Sequence, residues 1–588
     1  MTDLFHTVHA QVLNALAAEF PGLDPALLAR VETTPTRDPA HGDMATNAAL
    51  IAAKPARRPP AAIAAALAGR LASLPGIAAA EPAGPGFVNL RLRPEALHAI
   101  LPAILDARES YGDGAPRTTG AINVEYVSAN PTGPMHIGHC RGAVVGDALA
   151  NLLTKAGHRV TKEYYVNDAG AQVAALAWAA YWRYLQALGT TLTEAEFAAE
   201  IPGGLQYRGD YLVPVGEALL AAYDATLAGP AATIADPVLW FTAVRDFAVA
   251  AMLESIREDL ALLGVRPDLF TSERSLVDAG RADAVIAELA AKGLLYEGTL
   301  EPPKGKTPDE WEPREQTLFR ATEFGDDVDR PLRKSDGSNT YFANDIAYHA
   351  DKIARGSDLL IDVLGADHGG YTKRMQAAVR ALGGGARLEI VLCQIVHVLR
   401  AGQPVRMSKR AGTYVTLREL IEEVGRDAVR FTMLTRKSDA QMEFDLDAVV
   451  AQTRENPVFY VQYAHARCRS VLRAATESYD LESLPDAPLD SLAAEPEHAL
   501  LRRLAAWPRT VEAAAVALEP HRIAFYLYDL AGDFHMLWNR GRDDATLRFL
   551  QAERPVETRA RLALVAATAT VIRSGLAVLG VEPVEEMR

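Results

Sequence analysis

One segment, residues 122–167, constrains the fold more than any other. Ile122-Asn123-Val124-Glu125-Tyr126-Val127 reads as a strand, and a loop rich in Asn, Pro and Gly follows over 128–134. The apolar positions Ile137, Val144, Val145, Ala148, Leu149, Leu152 and Leu153 then mark one face of a helix over about 136–157, with Gly157 suited to the position just past its end. Residues 159–167 read as the next strand. Strand, helix and strand at this length form a βαβ unit, which implies a parallel sheet and a right-handed crossover. Ligands of such sheets bind beyond the carboxyl ends of the strands, so the loop after Val127 is where chemistry is expected.

At 588 residues the chain is too long for a single core, and about three or four domains are expected. Residues 1–115 read as a first unit, with helical stretches at 4–20 and 60–74, an alternating strand at 87–92 and a Gly-rich linker at 112–117. Residues 171–324 read as an insertion of helices and polar loops, including the Pro/Lys/Glu-rich run 301–315. The α/β pattern resumes at Thr340 and continues through 358–365 and 388–398. After Leu417 the chain turns helical, with amphipathic segments at 456–474, 522–539 and 559–579. The expected class is multidomain α/β plus α: 1–115, then 116–420 with its insertion at about 171–324, then a helical 421–588.

Composition excludes several classes. The chain is 49% hydrophobic and 23% charged, ordinary for a globular protein. No apolar run long enough for a membrane span stands out, since the Ala-rich stretch 61–80 is broken by Arg70 and Pro75. The start, Met1-Thr2-Asp3-Leu4-Phe5-His6, lacks the features of a signal peptide, so a cytoplasmic address with no membrane partner is expected. Cys140, Cys393 and Cys468 lie far apart without a CxxC pair, so neither disulfides nor zinc are expected. A net charge of −15 argues against a DNA partner. It leaves room for RNA, because screening confines each basic patch to about 8 Å at physiological salt.

Two elements carry chemistry. In Pro134-Met135-His136-Ile137-Gly138-His139 the helix start offers unpaired N–H groups to a phosphate. His136 and His139, one turn apart, can donate to the same oxygens, and Gly138 lets a nucleotide approach the backbone. No dinucleotide-type or P-loop glycine pattern is present. Standing alone, the motif is equally two surface histidines beside a glycine. The second element, Val405-Arg406-Met407-Ser408-Lys409-Arg410-Ala411-Gly412, is a cationic loop suited to an oligophosphate. Its bland alternative is a solvated basic turn.

Together the two elements resemble the His-Ile-Gly-His and Lys-Met-Ser-Lys-Ser signatures of class I aminoacyl-tRNA synthetases. His136, Ile137, Gly138 and His139 match the first throughout. In the second, Met407, Ser408 and Lys409 match, while Arg406 replaces the first lysine and Arg410 the last serine. The stretches 124–134, 165–172, 340–349 and 365–371 resemble the arginyl branch, and the likeness spans nearly the whole chain.

That resemblance implies a Rossmann-like catalytic domain, an additional N-terminal α/β domain that meets the tRNA elbow, and a DALR-type all-α anticodon-binding bundle. It implies activation of L-arginine by ATP with Mg2+, without zinc, and transfer to the 2′-OH of the terminal adenosine of tRNA(Arg) by a monomer. In the arginyl branch, bound tRNA is typically needed even for activation. His136, His139 and Lys409 would be catalytic, with Gly138, Arg406, Met407 and Ser408 also on ATP. Glu125, Ser128, Asn130, Tyr341 and Asp345 would hold arginine. A guanidinium wants a carboxylate in a fixed plane with an aromatic wall, which Asp345 and Tyr341, four apart, could supply, and Glu125 could take the α-ammonium. The alternative makes Asp345 the cap of a helix beginning at Ile346 and Tyr341 a half-buried strand residue. In the tail, Arg454, Phe459, Tyr460, Tyr463, Arg467, Arg469 and Arg473 interleave bases and aromatics as an RNA face would, with Met587 also near the anticodon. Aromatics at helical spacing are more often core, and arginines more often solvated. The rivals are a cysteinyl or leucyl enzyme, a non-catalytic RNA-binding relative, and a nucleotidylyltransferase.

Overall fold

Apolar β-rich runs separated by helices make a parallel sheet buried on both faces, and that is how the middle of the chain folds. The computed structural model describes residues 3–36, 38–201, 203–300, 314–405 and 415–587. They divide into two compact units, one of 116–154 with 158–451, the other of 1–115 with 155–157 and 452–588.

In the first unit five parallel strands lie in the order Arg387–Cys393, Ser357–Gly365, Ala121–Glu125, Val160–Val166, Leu269–Ser272. Chain order runs outward in both directions from Ala121–Glu125. The topological switch point therefore lies between that strand and Ser357–Gly365, where Glu125 and Asp362 are register partners. The helix Ile137–Lys155 supplies the first crossover, and its buried face carries the apolar residues marked in the sequence.

Three features depart from the sequence reading. Leu269–Ser272, within the stretch read as insertion, is an edge strand of the main sheet. The run 388–398 is two strands. Arg387–Cys393 stays in the main sheet, while Val396–Arg400 pairs with Gln403–Pro404 and Met442–Asp445 in a small separate one. The chain after Leu417 is thus not wholly helical, since Met442–Asp445 is a strand before the tail helices begin. The helices Ala171–Ala187, Val213–Tyr223 and Pro237–Leu262 form a core of their own, in which Tyr181 stacks on Trp240 with ring centres 3.7 Å apart.

The second unit holds a four-stranded antiparallel sheet, in the order Thr33–Pro35, Met44–Thr46, Phe87–Leu92, Ile77–Ala83. Its helical part packs Pro457–Ala475, His521–Asp543 and Pro555–Leu579 together. The last of these is long and apolar enough to cross a membrane, which the sequence reading passed over; 78% of its apolar window is buried within the protein. Arg561, on that helix, is buried and paired with Glu497 at 2.7 Å.

Candidate active site

The strand Ala121–Glu125 ends in a tight reversal. Ser128 N–H donates to the Tyr126 carbonyl at 3.0 Å across Val127, whose φ is 71°, and Ser128 itself has φ 41°. Positive φ at a β-branched residue costs energy, so surrounding contacts must hold it. Several do. Ser128 Oγ donates to Glu125 Oε1 at 2.9 Å and accepts from Tyr165 N–H at 3.0 Å, and Asn167 donates to the Ser128 carbonyl at 3.0 Å. Tyr211, from the insertion, donates its hydroxyl proton to the Thr132 carbonyl at 2.7 Å.

The loop delivers the chain to the helix that starts at Ile137. The His136 and His139 rings stack with centres 3.9 Å apart and a 24° tilt. Gly138 keeps the turn open, since a Cβ would lie 2.8 Å from His136 Cε1. The second signature, Arg406 to Arg410 with Met407, Ser408 and Lys409, lies outside the described residues. Val415 and Leu417 are strapped to the first signature: Ile137 N–H donates to the Val415 carbonyl at 3.4 Å, and Leu417 N–H to the Met135 carbonyl at 2.9 Å.

Beside the strand end lies a cluster of carboxylates. The helix Tyr341–Ala354 is capped by Thr340, whose side chain accepts from Ala343 N–H at 3.3 Å. Asp345 is therefore not the cap, and Tyr341 is not a half-buried strand residue: it opens the helix and is 61% exposed. Asp345 is half-buried. Desolvation, with repulsion from Glu273 and Glu125, pushes its pKa from 3.8 up to about 6 against a hydrogen bond from Tyr371 and the pull of His349. No ion pair reaches it among the described residues. Glu125, by contrast, is buried and paired with Lys352 at 2.6 Å.

Sequence reasoning missed two members of this cluster. Glu273 is held by Asn344 and the Ala169 N–H, and burial plus repulsion from Asp168 raise its pKa. Tyr165 has a buried hydroxyl without a hydrogen-bond partner among the described residues; burial first, then Glu273, Asp345 and Glu125, keep its proton on. Asn130 lies at the exposed end of the loop and donates to Gln172 at 2.8 Å.

The tail residues belong to the other unit. Arg467 sits over the rings of Tyr463 and Trp538, at 4.0 and 4.8 Å, and donates to Tyr463 Oη at 2.7 Å. Arg469 and Arg473 bind Glu585, and Phe459 stacks on Tyr463. Arg454 is exposed above Tyr460, which lies against Tyr528 and His535. These last residues, with Asn539 and Arg540, line a hollow of about 530 Å³. Met587 is half-buried near the chain end.

Known proteins carry the same organisation. Residues 6–92 match the family model of the arginyl-tRNA synthetase N-terminal domain, 101–192 that of the class I (R) catalytic domain, and 461–587 that of the DALR anticodon-binding domain. The arginine–tRNA ligase of Gluconobacter oxydans is 61% identical, over 100% of this chain and 98% of that protein. That of Rhodospirillum rubrum is 56% identical over the full length of both. The solved arginyl-tRNA synthetase of Thermus thermophilus shares the fold, with a TM-score of 0.73 at 23% identity over 99% of this chain and 100% of that one. With such identity sustained from end to end, the chain belongs to the arginyl-tRNA synthetase family.

Proposed function

We propose that this chain joins L-arginine to the 3′-terminal adenosine of tRNA(Arg), using ATP and releasing AMP and pyrophosphate. The observation that carries the reading is Asp345, a half-buried carboxylate pressed by Glu273 and Glu125 and without an ion pair among the described residues. A guanidinium, planar and permanently charged, answers that deficit. Tyr341, one helical turn earlier, offers an aromatic wall. Glu273 and the Tyr165 hydroxyl add polar contacts, and Glu125, held by Ser128, takes the α-ammonium, with Asn130 at the rim.

In the first step an arginine carboxylate oxygen attacks the α-phosphorus of ATP, which enters with Mg2+. The bond to the bridging oxygen of the β-phosphate breaks, and pyrophosphate leaves. His136 and His139, with the N–H groups opening their helix, stabilise the charge that develops on phosphorus, and Gly138 leaves room for the nucleotide. Lys409 holds the departing β- and γ-phosphates, with Arg406, Met407 and Ser408 completing the loop. The strap from Val415 and Leu417 onto the first signature supports this, because it tethers the end of that loop beside the histidines. In the second step the ribose 2′-OH attacks the arginyl carbonyl and AMP leaves.

Residues 1–115 meet the tRNA elbow and the helical tail meets the anticodon, where Arg454, Tyr460, Tyr463, Arg467 and Met587 are the candidate contacts. The same reading makes the enzyme a cytoplasmic monomer that needs bound tRNA for activation. Pyrophosphate exchange with arginine or lysine, with and without tRNA(Arg), tests it. Arginine-dependent exchange that requires tRNA and is absent with lysine is the expected result. Equal exchange with lysine would refute the pocket. A Lys409→Ala enzyme should lose activation far more than ATP binding, and a kcat within about twofold of wild type would refute that role.

A further inference from the structure

Lys352 lies two turns after Asp345 on the same helix, facing the sheet. Its ammonium is fully buried, 2.6 Å from Glu125 Oε2 and 3.0 Å from Asp362 Oδ1. Asp362 also accepts from His349 Nε2 at 2.8 Å, and His349 Nδ1 lies 2.7 Å from the backbone carbonyl of Asp345. Both partners of that imidazole are acceptors, so the two bonds together call for its doubly protonated form. The ring of Tyr348 lies 4.3 Å from the ammonium and stacks on Tyr165 at 4.2 Å. One buried cation thus ties the strand bearing Glu125, the strand bearing Asp362 and the helix bearing Asp345.

Stability alone is a weak reason for such an arrangement, because well-packed apolar residues commonly serve as well as a buried ion pair. What the network does supply is position. Glu125 has one oxygen on Lys352 and the other on Ser128, so its plane is set before any ligand arrives. Asp345 is tied at its backbone through His349 and Asp362 to the same ammonium.

We propose that Lys352 is a positioning residue for the amino acid: through Glu125, and through Asp362 and His349 to Asp345, it fixes the separation of the two carboxylates between which arginine binds. The inference rests on the reading of that pocket given under Proposed function. It also accounts for discrimination. Without Lys352, Glu125 would be an uncompensated and movable charge, open to any cationic side chain, and arginine would lose its advantage over lysine.

The test uses the full-length enzyme in aminoacylation with tRNA(Arg), comparing Lys352→Met with the double variant Lys352→Met/Asp362→Asn. The double variant restores the net charge without restoring the contact to Glu125, so it answers the question if the single variant melts early. A KM for arginine raised about tenfold or more in both, with the KM for ATP within about twofold and a reduced preference for arginine over lysine, is the expected result. A wild-type arginine KM in the double variant, or equal rises for arginine and ATP, would overturn the proposal. Asp345→Asn run in parallel separates the two readings. If it too leaves the arginine KM unchanged, the pocket assignment has failed; if it raises that KM while the Lys352 variants do not, only the positioning role has.

Discussion

The carboxylate cluster beside the parallel sheet and the basic, aromatic face of the tail use the same kinds of interaction to opposite ends. In the tail the groups satisfy one another. Arg467 covers Tyr463 and Trp538, and its guanidinium donates to His535 Nδ1 at 3.1 Å while Nε2 of that ring faces the Tyr460 carbonyl at 3.2 Å. Burial first, and then the neighbouring arginines, outweigh that carbonyl contact and push the His535 pKa down to about 4, so the ring is neutral. In the catalytic unit the accounting is uneven: Glu125 and Asp362 share Lys352, and Asp345 is left over. A ligand belongs where protein groups leave each other short, and a matched set of groups is more often structure.

The largest effect should come from removing the unmatched charge. Asp345→Asn should lower kcat/KM for arginine by about two to three orders of magnitude, because the proposed charge partner of the guanidinium is lost. The melting temperature without arginine should hold or rise, since the isolated carboxylate is a burden on the folded state. Steady-state kinetics together with a thermal melt check both halves, and a variant that melts early while keeping its arginine kcat/KM would reverse the comparison.

Titration of the same group should give the next largest effect. The folded pKa of Asp345 is raised, so its contribution to stability is present below about pH 4 and is lost as pH rises through about 6. In the proposed pocket, arginine requires the ionised form. Its KM should therefore be level above about pH 6.5 and rise up to about tenfold per unit below 6, and the melting shift it causes should shrink over the same window. Asp345→Asn should flatten both profiles. An arginine KM independent of pH from about 5 to 7.5 would mean that the carboxylate is already paired.

How far this contrast can be seen in a sequence depends on distance along the chain. Tyr341 and Asp345 stand out in the sequence only through the stretch 340–349 that resembles the arginyl branch, whereas the βαβ unit is legible because its periodicities are local. Lys352 is not, because the partner that gives it meaning, Glu125, is 227 residues away. Glu273 looks like an ordinary first-turn acid on a short helix, and only its strand, Leu269–Ser272, brings it to the cluster. That strand is itself four residues long, too short for alternation to show. In the tail, helical spacing puts Tyr460, Tyr463 and Arg467 near one face, but spacing says nothing about whether that face looks inward.

The smallest effect is also the one that most sharpens the comparison, because it sets two arginines of the same tail against each other. Arg467 is half-buried and holds two rings and a neutral histidine; Arg454 is exposed, above the Tyr460 ring at 5.8 Å. Arg467→Ala should cost about 2 kcal/mol and lower the melting temperature by roughly 5 °C. Removing Arg467 also relieves part of the depression of the His535 pKa, so the variant should lose less stability than wild type as pH falls below about 6.5. Its KM for tRNA should change little when measured well below the melt. Arg454→Ala should leave the melt unchanged and raise the KM for tRNA about three- to tenfold, with a shallower salt dependence from the loss of one phosphate contact. The reverse pattern would make Arg467 the RNA contact, and a matched set of groups would then be no guide to which face is structure.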